Sequence, residues 1–304
     1  WGRDRAHAEA MRRERVNRHY LPDAPFPATL RVEADIATAL AGAQDVLVAV
    51  PSHAFRELLI RIRPLLAPGQ RLCWATKGFE VDSGRLPNEV AHEVLGSTRP
   101  VAVLSGPTFA REVGAGLPTA MTIASSEADY AETLAFDISS ASFRAYTSTD
   151  IAGVEVGGAV KNVMAVGAGL SDGLGFGANT RIALITRGLV EMTRLGVALG
   201  AHRETFMGLA GLGDLVLTCT DDQSRNRRLG LALGRGSGIA QASAAIAQVI
   251  EGVETAREVV AVARARSIEM PIVSEVYRVL HEGKDPRAAV KALFGREQKA
   301  EDFI

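Results

Sequence analysis

Residues 45–51, with the sequence DVLVAVP, form a nearly continuous apolar run between an aspartate and a proline. Apolar runs of this length without polar alternation are typical of parallel strands that are covered on both faces. Three similar runs and a weaker fifth one follow along the first half of the chain. They lie at residues 71–76, 100–105, 118–124 and 143–147. The first half is therefore predicted to contain a sheet of parallel strands.

Helical patterns separate these runs, as expected for a doubly wound sheet with helices on its two faces. In sheets of this kind, ligands bind beyond the carboxyl ends of the strands. We predict that residues 1–149 form a Rossmann-type domain. Its predicted helices lie at residues 34–41, 54–66, 87–95 and 127–139.

The character of the chain changes near Thr149, where the strand-like runs end and helical periodicity begins. Thr149 or Asp150 can cap the first of the new helices. Residues 150–304 are predicted to form an all-helical domain, so the fold class is an α/β domain followed by an all-α domain. The predicted helices lie at residues 150–170, 180–199, 225–233, 253–266, 272–282 and 286–293.

Composition argues against several classes of function. The formal charge of −1 over 304 residues gives no electrostatic reason to expect nucleic acid or an anionic membrane as a partner. The sequence shows no apolar run long enough to span a bilayer and no cluster of residues with metal-ligand spacing, so neither a membrane span nor a metal is expected. The two cysteines, Cys73 and Cys219, stand alone in apolar surroundings, which favours reduced core thiols and a cytoplasmic enzyme.

Lysine is scarce in this chain, with five lysines among 34 basic residues. Where arginine supplies most of the positive charge, a lysine in an apolar or glycine-rich run indicates a need for a cation that can lose its proton. Lys77 directly follows a predicted strand, and Lys161 lies among glycines and apolar residues of a predicted helix. The other three, Lys284, Lys291 and Lys299, lie in a polar C-terminal stretch and are predicted to be surface charges.

The surroundings of Lys161 favour a catalytic base. Five glycines between residues 153 and 169 lower helix stability, so something beside this helix needs room, either a backbone or a ligand. A lysine in such a place is desolvated, which lowers its pKa and makes the neutral amine accessible. The alternative is a lysine whose stem is buried and whose amine reaches solvent.

Two further motifs carry polar groups that suit a small anionic substrate. Gly106 and Thr108 follow a predicted strand, where glycine allows close approach of a ligand and threonine can cap a helix whose free N–H groups bind an anion. Asp214 lies in a turn within an apolar stretch. There it can orient a base, accept a hydrogen bond from a substrate hydroxyl, or simply cap a helix.

A later helix opens with donors for a phosphate. Ser224, Arg225 and Asn226 lie in its predicted first turn, where side-chain donors, the guanidinium fork and the helix dipole all favour an anion. Arg227 and Arg228 follow directly and are predicted to be plain surface charges.

Taken together, these motifs resemble the bacterial-type NAD(P)-dependent glycerol-3-phosphate dehydrogenases. The resemblance covers essentially the whole chain, and the run around Lys161 and Asn162 through Arg187, followed by GLGDL and SRN, is highly specific. It implies a Rossmann-type cofactor domain, a helical substrate domain and hydride transfer between sn-glycerol 3-phosphate and dihydroxyacetone phosphate, which supplies glycerol 3-phosphate for phospholipid synthesis. It also suggests a homodimer. The matching runs are WGRDR, NRHYLPD, VLVAVPSHAFRELL, WATKGFE, LSGPTFAREV, EVGGAVKNVMAVGAGLSDGLGFGANTRIALITRGL, GLAGLGDLVLTCTDDQSRNRRLG, VIEGVETA and MPIVSEVY.

The resemblance also implies roles for individual positions. Lys161 matches the family's general base. An arginine at position 3 can accommodate the 2′-phosphate of NADP, which favours NADP, while Asp4 beside it leaves NAD open. The implied substrate contacts are Lys77, Gly106, Thr108, Lys161, Asp214, Ser224, Arg225 and Asn226, and the implied cofactor contacts are Arg3, Lys77, Ala110, Arg225, Val249 and Glu251.

One departure from the family pattern concerns the cofactor's pyrophosphate. The glycine-rich turn G-x-G-x-x-G should lie about 20 residues before Arg3, if the ordinary spacing from that turn to the ribose contact holds. The sequence begins two residues before Arg3, so the first strand and the glycine-rich loop are missing from it. We therefore treat the sequence as an N-terminally truncated chain whose sheet lacks a central strand.

Two other functions remain open at this point. A related dehydrogenase of the same two-domain plan would oxidise another hydroxy acid or sugar acid, since such enzymes also carry a Lys-Asn pair on the first helix of the helical domain. A non-catalytic dinucleotide-binding subunit is suggested by the missing loop. The SRN run and the GLGDL turn favour glycerol 3-phosphate over the first alternative, and the set of Lys77, Lys161 and Asp214 argues against the second.

Overall fold

The structure, a computed structural model, describes residues 1–297. Lys299, predicted to be a surface charge, lies with the rest of residues 298–304 outside the described residues. The first half of the chain forms a small hairpin and a larger sheet. The strands are β1 (Val16–Asn17), β2 (Leu21–Pro25), β3 (Asp45–Val48), β4 (Arg71–Trp74), β5 (Val101–Ser105), β6 (Thr119–Ala124) and β7 (Phe143–Ser148).

The five predicted strands form one sheet in the order β3-β4-β5-β6-β7. The first three are parallel, as predicted. The prediction is wrong for the last two, because β6 runs antiparallel to β5, with Val103 opposite Ala124, and β7 is parallel to β6. The chain between β5 and β6 holds a single five-residue helix, and it returns along the edge of β5 instead of crossing over a face of the sheet.

Helices cover both faces of this sheet, which confirms the doubly wound arrangement. On one face, Leu72 and Trp74 pack with Phe55 and Leu59. On the other, Cys73 packs with residues of the helix before β7. Alternate residues of β4 thus enter different cores, which explains why the run has no polar alternation. The helices of this half are α1 (Arg5–Glu14), α2 (Ile36–Leu40), α3 (Phe55–Ile62), α4 (Pro87–Leu95), α5 (Ala110–Gly114) and α6 (Ala128–Ile138).

The second half is helical, as the sequence predicts. Two of its helices, α9 and α11, follow weaker patterns that the sequence analysis did not assign. A π-helical turn, Leu209–Gly213, leads directly into α9. The helices are α7 (Ile151–Gly173), α8 (Ala178–Ala198), α9 (Asp214–Thr220), α10 (Arg225–Gly234), α11 (Ile239–Ile246), α12 (Glu251–Ala265), α13 (Pro271–His281) and α14 (Pro286–Phe294).

Helix α7 is the central element of the helical half. It is long and apolar enough to cross a bilayer by length and composition, which corrects the expectation that no such run exists, but 94% of its most apolar window is buried inside the protein. A helix that is apolar all round belongs in a protein core or a membrane, and here the other helices surround it. Its N-terminus is capped by Asp150, which accepts from Gly153 N at 2.8 Å.

Two of the five glycines between residues 153 and 169, Gly157 and Gly169, make room for the backbone of neighbouring elements, whereas Cβ atoms on the other three would meet side chains. A Cβ on Gly169 would lie 2.1 Å from the carbonyl oxygen of Arg227 on α10. A Cβ on Gly230 of α10 would lie 2.1 Å from the carbonyl oxygen of Val166 in return. On the same helix, a Cβ on Gly157 would lie 2.4 Å from Ala210 O in the π-helical turn. A side chain larger than that of glycine at these positions would prevent the close contact. The glycines therefore allow α10 and the π-helical turn to pack directly against α7.

Candidate active site

Lys77 lies at the carboxyl edge of the sheet, three residues after the end of β4. The loop that carries it is fixed by Thr76, whose hydroxyl donates to Val50 O at 2.7 Å. Gly78 follows with φ of +114°, a conformation that side chains rarely adopt, and a Cβ there would lie 3.2 Å from Ser52 Oγ. The loop therefore directs the partly buried amine of Lys77 toward the helical half.

Lys77 and Lys161 meet at one carboxylate, that of Asp214. Lys77 Nζ donates to Asp214 Oδ2 at 2.6 Å, and Lys161 Nζ donates to Asp214 Oδ1 at 2.5 Å. The side chain of Asp214 is 2% exposed, and that of Lys161 is 10% exposed. We call these three residues the lysine–aspartate cluster. It joins a loop of the sheet to two helices of the second half.

Electrostatics in the cluster favour a lysine that can change protonation state. Burial lowers the pKa of Lys161 to about 8, with Lys77 acting in the same direction and the Asp214 carboxylate opposing it. Burial by itself would raise the pKa of Asp214, but the two lysines more than offset this effect and lower it. The cluster therefore pairs a carboxylate that is charged at neutral pH with an amine whose pKa is close to neutral pH. This arrangement suits general acid–base catalysis.

Thr218 is a member of the site that the sequence analysis missed. Its Oγ accepts from Lys161 Nζ at 3.2 Å and donates to Asp214 O at 2.6 Å. The sequence spacing indicates this position, because residues four apart on a helix share a face and Thr218 is four residues after Asp214. With Asp214 and Thr218 engaged, a protonated Lys161 has one remaining N–H for a substrate oxygen.

The loop after β5 approaches the same region. Gly106 has φ of +153°, and a Cβ there would lie 2.9 Å from Met121 Cα, so the position requires glycine. Pro107 Cγ lies 3.7 Å from the Cβ position of Gly213, immediately before Asp214. The expectation that Thr108 caps a helix is wrong, because its hydroxyl bonds to Gly106 O at 3.3 Å and α5 begins only at Ala110.

The first turn of α10 has the form that the sequence predicts. Ser224 is its N-cap, and its hydroxyl accepts from Arg227 N at 3.2 Å. Within residues 1–297, the guanidinium of Arg225 forms no hydrogen bond or ion pair, and it is half-buried. Gln223 Nε2 donates to Glu112 Oε1 at 2.9 Å, which ties this turn to α5 of the first half of the chain. An unpaired arginine at a helix N-terminus is suited to an anion.

Arg227 corrects a prediction. It was expected to be a surface charge, but it is buried, with its guanidinium 2.5 Å from Asp172 Oδ2 and 2.9 Å from Asp222 Oδ1. The close contact of α10 with α7 accounts for its burial. Arg228 is exposed, as predicted.

Side-chain hydrogen bonds link Asn162, the residue after Lys161, to two predicted binding positions, Glu251 and Asn226. Asn162 Nδ2 donates to Glu251 Oε2 at 3.2 Å. Asn226 Nδ2 donates to Asn162 Oδ1 at 2.9 Å, and Asn226 Oδ1 accepts from Gly252 N at 2.9 Å. Asn226 is buried and mostly engaged in this chain, which leaves it a single N–H for a ligand. Asn162 was not singled out as a site residue, although it directly follows Lys161.

The remaining predicted cofactor positions lie at the surface. Ala110, Val249 and Arg3 are all exposed, and Val249 exposes 48% of an apolar side chain. Arg3 makes no hydrogen bond or ion pair with the residues that the structure describes. Asp4 beside it caps α1, where its Oδ1 accepts from His7 N at 3.1 Å. Among the residues that the structure describes, hydrogen bonds thus join Lys77, Lys161 and Asp214 directly and link Asn226 and Glu251 to Asn162, the residue after Lys161. The other predicted positions have no direct bond to the cluster.

Two family models match the chain and together cover most of it. The model described as the N-terminus of NAD-dependent glycerol-3-phosphate dehydrogenase matches residues 1–131, and the model of its C-terminus matches residues 150–291. A protein from Aeromonas hydrophila named glycerol-3-phosphate dehydrogenase (NAD(P)+) is 56% identical over 302 residues, which is 99% of this chain and 90% of that protein. A protein of the same name from Serratia marcescens is 55% identical over 303 residues, covering 99% and 89% of the two chains.

Solved structures show the same fold. The crystal structure of a glycerol-3-phosphate dehydrogenase from Coxiella burnetii superimposes with a TM-score of 0.94 and 48% identity, covering 97% of this chain and 90% of that one. A ketopantoate reductase from Ralstonia eutropha has a TM-score of 0.58 at 16% identity, which shows a similar fold and nothing more. From the family models and the identities over nearly its full length, the chain belongs to the NAD-dependent glycerol-3-phosphate dehydrogenase family.

Proposed function

We propose that the protein interconverts sn-glycerol 3-phosphate and dihydroxyacetone phosphate, with NAD or NADP as the hydride carrier. The observation that supports this function best is the lysine–aspartate cluster at the carboxyl edge of the sheet, together with Arg225, an arginine at a helix N-terminus that is unpaired among residues 1–297. The cluster supplies a group that moves a proton, and the arginine supplies a site for a phosphate. A phosphorylated alcohol or ketone needs both.

Lys161 is the general base in this proposal. As the neutral amine, it takes the proton from the C2 hydroxyl of glycerol 3-phosphate; as the ammonium, it protonates the carbonyl oxygen of dihydroxyacetone phosphate. Asp214 orients it by accepting from both lysines, one on each carboxylate oxygen, and each oxygen keeps a lone pair that can accept from a substrate hydroxyl. Lys77 has N–H groups to spare and holds a substrate oxygen.

The phosphate is held at the start of α10. Arg225 offers a guanidinium fork without a competing carboxylate, Ser224 offers its hydroxyl, and Asn226 offers its remaining N–H. The loop of Gly106 and Thr108 closes the opposite side of the substrate, where glycine keeps the backbone accessible.

The residues present also suit a nicotinamide dinucleotide. Val249 presents an apolar side chain at the surface just before α12, and Glu251 opens that helix beside Asn162, two features that a bound cofactor would cover. Arg225, Ala110 and Lys77 would flank it, and Arg3 would meet the adenosine ribose. When bound, the cofactor accepts or supplies the hydride at C2. Because Asp4 is committed to capping α1 and Arg3 is unpaired, we favour NADP over NAD.

We further propose that residues 1–149 form the cofactor domain and residues 150–304 the substrate domain. The enzyme is proposed to act in the cytoplasm, which the two free, buried cysteines support, and to supply glycerol 3-phosphate for phospholipid synthesis. A homodimer remains a prediction from the family resemblance.

The test is oxidation of NADH and NADPH by the purified protein with dihydroxyacetone phosphate, and with dihydroxyacetone as the matched substrate lacking a phosphate. Turnover that requires the phosphate supports the proposal. A folded protein that turns over neither substrate, or both equally, contradicts it.

A further inference from the structure

Glu155 is a buried acid that joins the two halves of the protein close to the lysine–aspartate cluster. It lies on α7, and its Oε1 accepts from Trp74 Nε1 at 2.9 Å and from Asn88 N at 3.0 Å. Trp74 is the last residue of β4, and Asn88 lies in the first turn of α4. One carboxyl oxygen therefore binds a strand and a helix of the cofactor half from a helix of the substrate half.

Two oxygens in this contact have no hydrogen-bond partner among the residues that the structure describes. Glu155 Oε2 and Asn88 Oδ1 are both buried without a hydrogen bond. A proton on Glu155 Oε2 turns that oxygen from an acceptor into a hydrogen-bond donor. Asn88 Oδ1 is an acceptor on a residue whose backbone N–H already donates to the same carboxyl group. Within residues 1–297, Glu155 forms no ion pair, and a buried carboxylate without a cation is costly.

The electrostatic environment agrees with this geometry. Burial raises the pKa of Glu155 to about 8, against the two hydrogen bonds from Trp74 and Asn88, and the nearby carboxylate of Glu89 raises it further. Glu89 itself caps α4 by accepting from Leu86 N at 2.7 Å, so it stays close to Glu155.

The Glu155–Trp74 contact joins the two elements that carry the lysines, β4 with its following loop and α7. Trp74 is three residues before Lys77, and Glu155 is six residues before Lys161 on α7. Between them, a Cβ on Gly158 would lie 3.4 Å from the side-chain stem of Lys77, so α7 and Lys77 are in near contact. A change in the spacing of β4 and α7 would move Lys77 relative to Lys161.

We propose that Glu155, as a neutral carboxylic acid, sets the distance between the strand that carries Lys77 and the helix that carries Lys161. It is a positioning residue: it acts on the reaction through where the two lysines meet Asp214. This inference rests on the proposed function for its kinetic consequence, but the protonation and contact of Glu155 can be measured without activity.

The test compares three substitutions in the full chain. Glu155→Gln keeps the acceptor for Trp74 and replaces the O–H by an N–H donor, so kcat should stay within about twofold of the parent. Glu155→Ala removes the contact and should lower kcat by about tenfold or more with little change in cofactor KM, since a shift of about 1 Å in a reacting group can cost about 100-fold. Glu155→Asp keeps the acid but shortens the side chain, and it should also lower kcat. It takes the place of Glu155→Ala in the test if that variant proves too unstable to assay.

Glu191 supplies a matched control. It is a second buried glutamate, with a pKa that burial raises to about 7, and its carboxylate accepts from Ile272 N and Val273 N at the start of α13. Glu191→Gln and Glu191→Ala make the same chemical changes within the helical half. They should lower thermal stability without lowering kcat per folded molecule, which separates a positioning effect from general loss of packing.

The indole resonance of Trp74 gives the readout that needs no turnover. The chain has two tryptophans, so its two indole N–H signals are readily assigned. At pH 7, the Trp74 signal of Glu155→Gln should coincide with that of the parent, and the signal of Glu155→Ala should be displaced. Any one of three results would overturn the proposal. The first is a loss of kcat in Glu155→Gln equal to that in Glu155→Ala, and the second is an unchanged kcat in Glu155→Ala or Glu155→Asp. The third is a displaced Trp74 signal in Glu155→Gln. An inactive parent with the expected indole signals would instead count against the proposed function alone.

Discussion

Lys161 Nζ lies 2.5 Å from Asp214 Oδ1, in an ion pair that joins the middle of α7 to the first residue of α9. Both side chains are buried, so the pair is only weakly screened by solvent. Burial and the second lysine favour the neutral amine, while the carboxylate favours the ammonium. Because these opposing effects keep the neutral and the protonated amine both accessible, Lys161 can take a proton and return it, which a reversible dehydrogenase requires.

Lys161→Ala should lower kcat in both directions by about 100- to 10,000-fold, the usual contribution of a general acid–base group, with small changes in KM. Lys161→Arg should not restore activity, because arginine keeps the charge but does not release its proton. Steady-state kinetics with both substrates checks this. A kcat close to that of the parent in either variant would exclude Lys161 as the base.

The pH profile of kcat should follow the lowered pKa of Lys161. Oxidation of glycerol 3-phosphate needs the neutral amine, so kcat in that direction should rise with pH and level off above about 8, while reduction of dihydroxyacetone phosphate should decline over the same range. Removing the Asp214 charge removes the effect that raises this pKa, so the rising limb of Asp214→Asn should move to lower pH. The limb should persist in Glu155→Gln. A rising limb that disappears there would assign the titration to Glu155 instead.

Arg225→Ala should raise the KM of the substrate and of the cofactor together by about 10- to 100-fold, because a hydrogen bond to a charged group contributes about 1.5–3 kcal/mol. Arg228→Ala is the matched control, since Arg228 lies three residues later on the same helix and is exposed. Equal effects of the two substitutions would point to general electrostatic attraction, and no effect of Arg225→Ala would remove it from the site.

Most of the fold follows from local sequence patterns. Three successive residues of β4, Leu72, Cys73 and Trp74, are apolar because alternate side chains enter cores on opposite faces of the sheet, and this pattern needs no knowledge of the rest of the chain. The reversal of β6 could not be predicted in this way, because Val103 and Ala124 pair across the sheet and strand direction leaves no trace in composition.

The site was predictable where a residue type is unusual in its surroundings. Lys77 and Lys161 stand out because the chain otherwise uses arginine and because each lies in an apolar or glycine-rich run. Thr218 and Glu155 do not stand out, since a threonine or a glutamate in a helix is ordinary. Their roles depend on contacts with residues 57 and 81 positions away in the sequence, at Lys161 and Trp74.

Gly169→Ala should destabilise the protein by about 1–3 kcal/mol, the usual cost of overpacking, and lower the thermal midpoint by several degrees. The added Cβ would lie 2.1 Å from Arg227 O, so α10 must move away from α7 and carry Ser224 and Arg225, the proposed phosphate donors, with it. Gly177→Ala is the control, because nothing lies within 4 Å of the new methyl group. Equal thermal midpoints for the two variants would show that the contact of α7 with α10 is more pliable than the structure indicates.

Arg3→Ala should discriminate between the two cofactors. Arg3 is exposed and unpaired among residues 1–297, so its guanidinium is available to the 2′-phosphate that only NADP carries. We expect the KM for NADPH to rise by about tenfold and that for NADH to change little, because a charge-assisted hydrogen bond contributes about 1.5–3 kcal/mol, reduced by exposure to solvent. Arg5→Ala is the control: Arg5 lies two residues later and already pairs with Glu9 at 3.1 Å. The measurement is the ratio of kcat/KM for NADPH and NADH in the parent protein and in both variants. A ratio that Arg3→Ala leaves unchanged would refute NADP recognition by this residue, and an equal change in Arg5→Ala would attribute the effect to the positive charge of the whole segment.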